Sequence, residues 1–199
     1  MSGDVQVRFC ERLGVKFPRA THPVMIFAEE SDARRVMEVL PKRVGRYGLT
    51  LHPEKTRIVR FGRPKLSSQR GATKPGTFDF LGLTHHWVRS QNGFWVIKQK
   101  TASSRFHRAC KRVHDWCKEH RHMPVAKQHI ALVQKLRGHY GYYGIPGNSR
   151  AISRFLYRVQ AIWRFWLNRR SQRRHMPWKR FFNMLKRFPL PVARLVAKP

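Results

Sequence analysis

Short apolar runs separated by turn residues dominate the first half of the chain. The run 24–28 is typical of a buried strand, and similar patterns predict further strands over 49–51, 58–61, 78–84 and 94–98. After residue 28 the apolar period lengthens to three or four and predicts a helix up to Tyr47, with Ser31 or Asp32 as N-cap and Gly48 as C-cap. Residues 1–23 show no sustained period, and we expect them to be irregular.

From residue 101 onward the pattern is helical throughout. Three apolar stripes are each long enough for a bundle helix, and a shorter fourth one follows. Breaks at 123–124, 144–148 and 176–177 separate the four predicted helices. The stripes are Phe106, Cys110, Val113 and Cys117; Ile130, Val133, Leu136, Tyr140 and Tyr143; Ile152, Phe155, Leu156, Val159, Ile162 and Trp166; and Trp178, Phe181, Phe182 and Leu185.

The two halves together predict an α+β protein. We expect a small partial α/β unit over 24–100, an all-helical bundle over 101–188 and a C-terminal tail over 189–199. The chain has 199 residues, of which 41% are hydrophobic and 12% aromatic, so it can bury a substantial core. This composition argues against wholesale disorder.

The charge balance points to a polyanionic partner. Lys and Arg number 42 against 10 Asp and Glu, which gives a formal net charge of +32. The basic residues are spread along the chain and interleave with aromatic ones, a combination suited to phosphate neutralisation and base stacking. No apolar run is long enough for a membrane span, and three cysteines indicate a reducing compartment, so we expect a cytoplasmic protein that binds nucleic acid and no membrane.

Three separated sequence blocks resemble one known family. They read GLTLHPEKT over 48–56, FDFLGL over 78–83 and LRGHYGYYGIPGN over 136–148. In this order they are similar to the reverse transcriptase/maturases encoded by group II introns. The resemblance covers roughly residues 24–188 and implies that 24–100 is the end of a polymerase palm and the start of the thumb. Residues 101–188 then correspond to the thumb and the maturase-specific region, domain X.

Each block has a functional and a structural interpretation. In the family the lysine matching Lys55 lies near the catalytic centre and the primer terminus, whereas a local turn with an ion pair to Glu54 is the alternative. The family places the second block in the grip on the primer strand, although its aromatic residues also suit core packing. In the third block Arg137, His139 and Tyr140 could approach an RNA backbone, or the block could be an interhelical turn.

The carboxylates decide what we expect of catalysis. The family carries Tyr-Ala-Asp-Asp just before the strand matching 24–28, because two-metal phosphoryl transfer needs clustered carboxylates. Here 19–23 reads RATHP, and Asp4, Asp32, Asp79 and Asp115 lie on separate predicted elements. We therefore expect a truncated relative of an RNA-directed DNA polymerase that is inactive alone and has no catalytic residues of its own. Mg²⁺ would bind only if a separate fingers and palm polypeptide completed the site.

A zinc site is the metal alternative. Cys110, His114, Cys117, His120 and His122 crowd one predicted helix. Structural zinc sites usually join two elements, and both cysteines fall on the apolar stripe, so core packing is the preferred interpretation and no metal is predicted.

The leading hypothesis is an RNA-binding fragment of a maturase that binds structured group II intron RNA and assists splicing. Arg150, Arg154 and Arg158 recur every four residues opposite the third apolar stripe and form a candidate phosphate track. The alternatives are a subunit of a split RNA-directed DNA polymerase and a general basic RNA-binding protein. The further candidate contacts towards the C-terminus are Arg164, Arg169, Arg170, Arg173 and Arg174.

Overall fold

The computed structural model describes residues 6–10, 24–52, 56–64, 76–171 and 175–195, and only the backbone of 6–10. The chain divides into two compact units, 1–98 and 99–199, which we call the N-terminal unit and the helical unit. The described elements mix strands and helices in the first unit and are mostly helices in the second. The predicted α+β class is thereby confirmed.

Three strands and one helix begin the N-terminal unit. These are β1 (Gln6–Cys10), β2 (Val24–Phe27), α1 (Glu30–Gly45) and β3 (Thr56–Arg60). The strands form an antiparallel sheet in the order β2-β1-β3, in which Val7 lies opposite Ile26 on one side and Val59 on the other. The expectation that 1–23 is irregular is wrong over β1, where the sequence alternates apolar and polar residues as a half-buried strand does.

The predicted N-cap of α1 is wrong, whereas the glycine predicted at its C-terminal end has the expected conformation. The helix begins at Glu30 with Glu29 as N-cap, and no side chain caps it, so Ser31 and Asp32 lie inside the first turn instead. Gly48 does end the turn that follows, at a φ of 67°. The Leu49 N–H donates to the Val44 carbonyl at 3.2 Å, which closes a Schellman motif around this glycine.

The second sheet consists of β4 (Phe78–Phe80), β5 (Leu83–Arg89) and β6 (Trp95–Thr101), in that order. The sequence pattern did not predict the hairpin between β4 and β5. The single strand predicted over 78–84 is wrong, because Leu81 and Gly82 both take positive φ, 48° and 79°, and reverse the chain. The strand predicted over 49–51 is also absent, apart from one bridge at Leu51.

The N-terminal unit has a small aromatic core. Phe61 and Phe78 are buried and meet edge to face at 4.6 Å between ring centroids. Trp87 stacks on Phe61 at 5.4 Å, and Val24 and Val59 pack at the margin. Glu30 accepts hydrogen bonds from Arg34 on its own helix and from Arg60 of β3, which ties α1 to the first sheet.

The described part of the helical unit contains four helices: α2 (Ser103–Glu119), α3 (Val125–Tyr143), α4 (Ser149–Asn168) and α5 (Trp178–Arg187). Their apolar faces enclose one continuous core whose largest fully buried side chains are Trp163 and Phe181. The α2 stripe is confirmed, since all four of its predicted members are buried. None of the described helices is long and apolar enough to cross a membrane.

Three predicted stripes are partly wrong, and on α3 and α4 the reason is that the buried positions recur mainly at a spacing of four. On α3 the buried residues are Gln128, Leu132, Leu136 and Tyr140, whereas Ile130 lies between two of them and is 57% exposed. On α4 the buried series after Val159 runs through Trp163 and Leu167. On α5, Phe181 is buried but Phe182 is 51% exposed.

The first residues of the predicted tail pack on the bundle. A His129 ring nitrogen lies 2.8 Å from the Pro189 carbonyl oxygen, and the Tyr140 hydroxyl donates to the Pro191 carbonyl at 3.2 Å. Leu190 and Ala193 contact the core. The part of the expected tail over 189–193 therefore packs on the bundle, where its apolar side chains and backbone carbonyls both have partners.

Candidate nucleic-acid interface

The helical unit carries most of the excess charge. Residues 99–199 contain 24 Lys and Arg and only two acidic residues, Asp115 and Glu119. Two carboxylates cannot neutralise this charge, so the basic side chains either have other partners within the unit or face solvent. The structure shows which of the described arginines belong to each of these two groups.

The outer face of α4 presents the predicted phosphate track to solvent. Arg150, Arg154 and Arg158 are all exposed. The opposite face of the same helix is buried through Ile152, Phe155, Val159, Trp163 and Leu167. The four-residue spacing explains this separation, because it keeps the arginines on one side of the helix and their charged ends in water.

The neighbouring α2 supports two of these arginines through its side chains. The Arg154 guanidinium lies 5.3 Å from the centroid of the Phe106 ring, a cation–π distance. Arg158 lies near the Cys110 thiol, and burial raises the pKa of this thiol although the arginine charge opposes the shift. These contacts leave both guanidinium groups exposed while limiting their freedom. The exposed basic residues of α2 itself are Arg105, Arg108, Lys111, Arg112 and Lys118.

Arg164 and Arg170 have structural partners in the fold. Arg164 donates to the Met176 carbonyl at 2.9 Å, and its guanidinium lies 4.2 Å from the centroid of the Trp178 ring. Arg170 donates to the Met123 carbonyl, and burial lowers its pKa. These arginines connect segments of the bundle, so less of each guanidinium remains for an outside anion.

Arg169 combines features of the exposed and the engaged arginines. Its guanidinium lies 3.6 Å from the centroid of the Phe165 ring and the side chain is exposed. It can bind an anion while resting on the ring.

The third family-like block forms an interhelical junction. Tyr140 is 6% exposed, and burial raises its pKa to about 12. His139 stacks on Phe155 with ring centroids 3.8 Å apart, and desolvation lowers its pKa to about 4, so the ring is neutral at physiological pH. Neither side chain offers a cation or an open ring face to RNA, whereas Arg137 is exposed.

Asn148 holds this junction together and was missed by the sequence pattern. It is 1% exposed, accepts from the Thr101 N–H at 2.9 Å, and donates to the Thr101 hydroxyl and the Tyr143 carbonyl. Gln128 plays a similar part elsewhere, accepting from the Trp163 indole at 2.7 Å. In the sequence, the only sign that Gln128 is buried is its four-residue spacing from Leu132 and Leu136.

Three predicted contact residues, Lys55, Arg173 and Arg174, lie outside the described residues.

The sequence pattern did not identify one exposed aromatic residue of α4 as a candidate contact. Tyr157 is 59% exposed and follows Arg154 by three positions, so it lies beside the arginine row. Aromatic and basic residues interleave along this part of the sequence, but that pattern does not distinguish the exposed ring of Tyr157 from the aromatic rings of the core.

The cysteine and histidine cluster of α2 forms part of the packing. Cys110 and Cys117 are buried free thiols, and burial raises the pKa of Cys117 to about 12. His114 contacts Trp166 of α4, with ring centroids 5.1 Å apart. Across the described parts of the chain, no three His, Cys, Asp or Glu side chains come together as a metal-binding group.

Comparison with models of known protein families finds none that matches this chain. A search of curated proteins likewise finds no significant relative.

Proposed function

We propose that this protein binds structured RNA and that the helical unit holds the RNA backbone on the outer face of α4. The observation that carries the proposal is the exposure of Arg150, Arg154 and Arg158 on the side of α4 opposite its buried face. The turns of an α-helix are 5.4 Å apart, so three arginines at this spacing form a row about 12 Å long that can contact successive phosphates.

The absence of nearby acidic partners in sequence supports an external anion. Asp115 and Glu119 are the only acidic residues of 99–199, and both lie on α2. Self-repulsion among so many cations destabilises a compact unit unless an anion relieves it. A nucleic acid supplies phosphates at a density that such a surface can match.

We further propose that the chain is the C-terminal part of a group II intron reverse transcriptase/maturase, with group II intron RNA as its ligand and assistance of splicing in the cytoplasm as its role. The support is the order of the blocks at 48–56, 78–83 and 136–148. In this proposal the N-terminal unit corresponds to the end of the palm and the start of the thumb. The helical unit corresponds to the thumb and domain X.

The test replaces Arg150, Arg154 and Arg158 together by Gln in the full chain. Binding of a structured RNA should weaken, and the magnitude of the log-log slope of affinity against salt should fall by roughly 2 to 3, because each lost phosphate contact removes about 0.7 to 0.9. Gln retains helix propensity and these positions are exposed, so far-UV circular dichroism should be unchanged.

A charge-matched control separates a local contact from a general loss of charge. Arg35, Lys42 and Arg43 are exposed on α1 of the N-terminal unit, and their replacement by Gln removes the same charge. This control should retain the wild-type salt slope. An unchanged slope in the α4 variant would instead assign the contact to the basic residues between 63 and 74 or to those after Asn168.

A further inference from the structure

We infer that the helical unit also has a binding site for unpaired bases, formed by the exposed rings of Tyr157 on α4 and Phe182 on α5. The inference rests on the proposed RNA binding and specifies the class of RNA: strands with unpaired nucleotides next to the phosphates that α4 holds. Its basis is a cluster of aromatic rings whose two outer members, Tyr157 and Phe182, the core does not bury.

Trp178 is the centre of this cluster. Its ring is nearly parallel to that of Tyr157, at 12° and a centroid distance of 6.4 Å. It also stacks with the ring of Phe182, at 26° and 5.5 Å. The Arg164 guanidinium over Trp178 and the edge-to-face contact between Trp178 and the buried Phe181 fix the central ring. The two outer rings are therefore attached to a rigid support.

The outer rings are open to solvent. Tyr157 is 59% exposed and Phe182 is 51% exposed, although both belong to helices whose other faces reach the main core. Exposed aromatic rings on a fixed support bind nucleobases well, because stacking requires a π-face and loses little side-chain freedom.

Basic side chains flank each exposed ring on its own helix. Arg154 precedes Tyr157 by three residues; Lys179 precedes Phe182 by three, and Lys186 follows it by four. Residues at these spacings are neighbours on a helix surface. An apolar protein partner would have to desolvate these charges, whereas an RNA strand supplies a phosphate and a base side by side.

The experiment compares two RNA probes with the full-length chain. One is a single-stranded oligouridylate, and the other is an A-form duplex with the same number of phosphates. Tyr157→Leu and Phe182→Leu should each weaken oligouridylate binding roughly 5- to 150-fold, the range for loss of one stacked base, and should leave duplex binding unchanged. The salt slope should stay at the wild-type value, since no phosphate contact is removed.

Two control variants test whether the ring itself is responsible. Tyr157→Phe retains the π-face and should bind oligouridylate as the wild type does. Tyr47→Leu removes a tyrosine that is 82% exposed in the N-terminal unit and should have no effect.

Three results would overturn the inference. Wild-type affinity of Tyr157→Leu and Phe182→Leu for oligouridylate would exclude base stacking, even if the arginine variant still loses its salt slope and RNA binding stands. Equal losses on both probes would indicate an indirect effect on the arginine row. A change in sedimentation with unchanged RNA affinity would assign the rings to contacts between copies of the chain. If the wild type shows no salt-dependent binding to either probe, the proposed function itself fails.

Discussion

The two units treat positive charge in different ways. The N-terminal unit has 18 Lys and Arg with 8 Asp and Glu, and Glu30 links Arg34 and Arg60 within it. The helical unit has 24 basic residues and two acidic ones, and several of its arginines contact aromatic rings and backbone carbonyls. The first unit can compensate part of its charge internally, while the second has too few carboxylates to do so.

The two units also differ in the size of their described apolar cores. The N-terminal unit buries Phe61 and Phe78 with a few partly buried neighbours, whereas the helical unit joins residues from all four of its helices in one core. A larger apolar core can offset more electrostatic repulsion. Among the described residues, the strongly charged unit is also the one with more apolar burial.

The largest expected effect concerns the core of the helical unit. Trp163 is fully buried, so Trp163→Ala should lower the free energy of unfolding of that unit by about 3 to 5 kcal/mol. It also leaves the side-chain oxygen of buried Gln128 without its indole donor. Hydrogen exchange measured by mass spectrometry in urea should show lost protection in α2 to α5 and unchanged protection in β3 to β5. Equal losses in both units would mean that they unfold as one.

A smaller effect should appear on acidification. The folded-state pKa of His139 is lowered from 6.5 to about 4, so the unfolded chain binds the proton more tightly. The stability of the folded chain is therefore not reduced by this group above pH 6.5, and it falls as the pH drops from there towards 4, by about 3 kcal/mol.

The variant His139→Phe should remove this part of the pH dependence, because it keeps an aromatic ring against Phe155 and abolishes the titration. Unfolding in urea at several pH values measures it. His107→Phe, at an exposed position of α2, should retain the wild-type profile. A wild-type profile in His139→Phe would show that other groups are responsible.

The smallest effect tests charge compensation in the N-terminal unit. Glu30→Gln removes the carboxylate that Arg34 and Arg60 share, and should destabilise that unit by no more than about 1 kcal/mol, since both arginines are mostly exposed. The loss should shrink further in high salt. Thermal unfolding at low and high salt measures this difference, and a salt-independent loss would mean that α1 packing depends on Glu30 for another reason.

The site residues show where sequence patterns suffice. The four-residue spacing of Arg150, Arg154 and Arg158 places them on one face of any helix, and the structure confirms that this face is exposed. The same reasoning could not assign Tyr140 or Arg164. Tyr140 ends the buried series of α3 and its hydroxyl donates to the Pro191 carbonyl, and Arg164 is engaged because the segment before α5 returns to α4.

The sequence by itself determined the α+β class, the number of helices after residue 101, the buried stripe of α2 and the distribution of charge. These depend on composition and on periodicity within one element. The tertiary structure decided the rest: that 78–84 turns back at Leu81 and Gly82, that β1 pairs between β2 and β3, and that Asn148 is a buried link. Each of these depends on partners distant in sequence or on a local reversal of the backbone, which the periodicity of a single segment does not record.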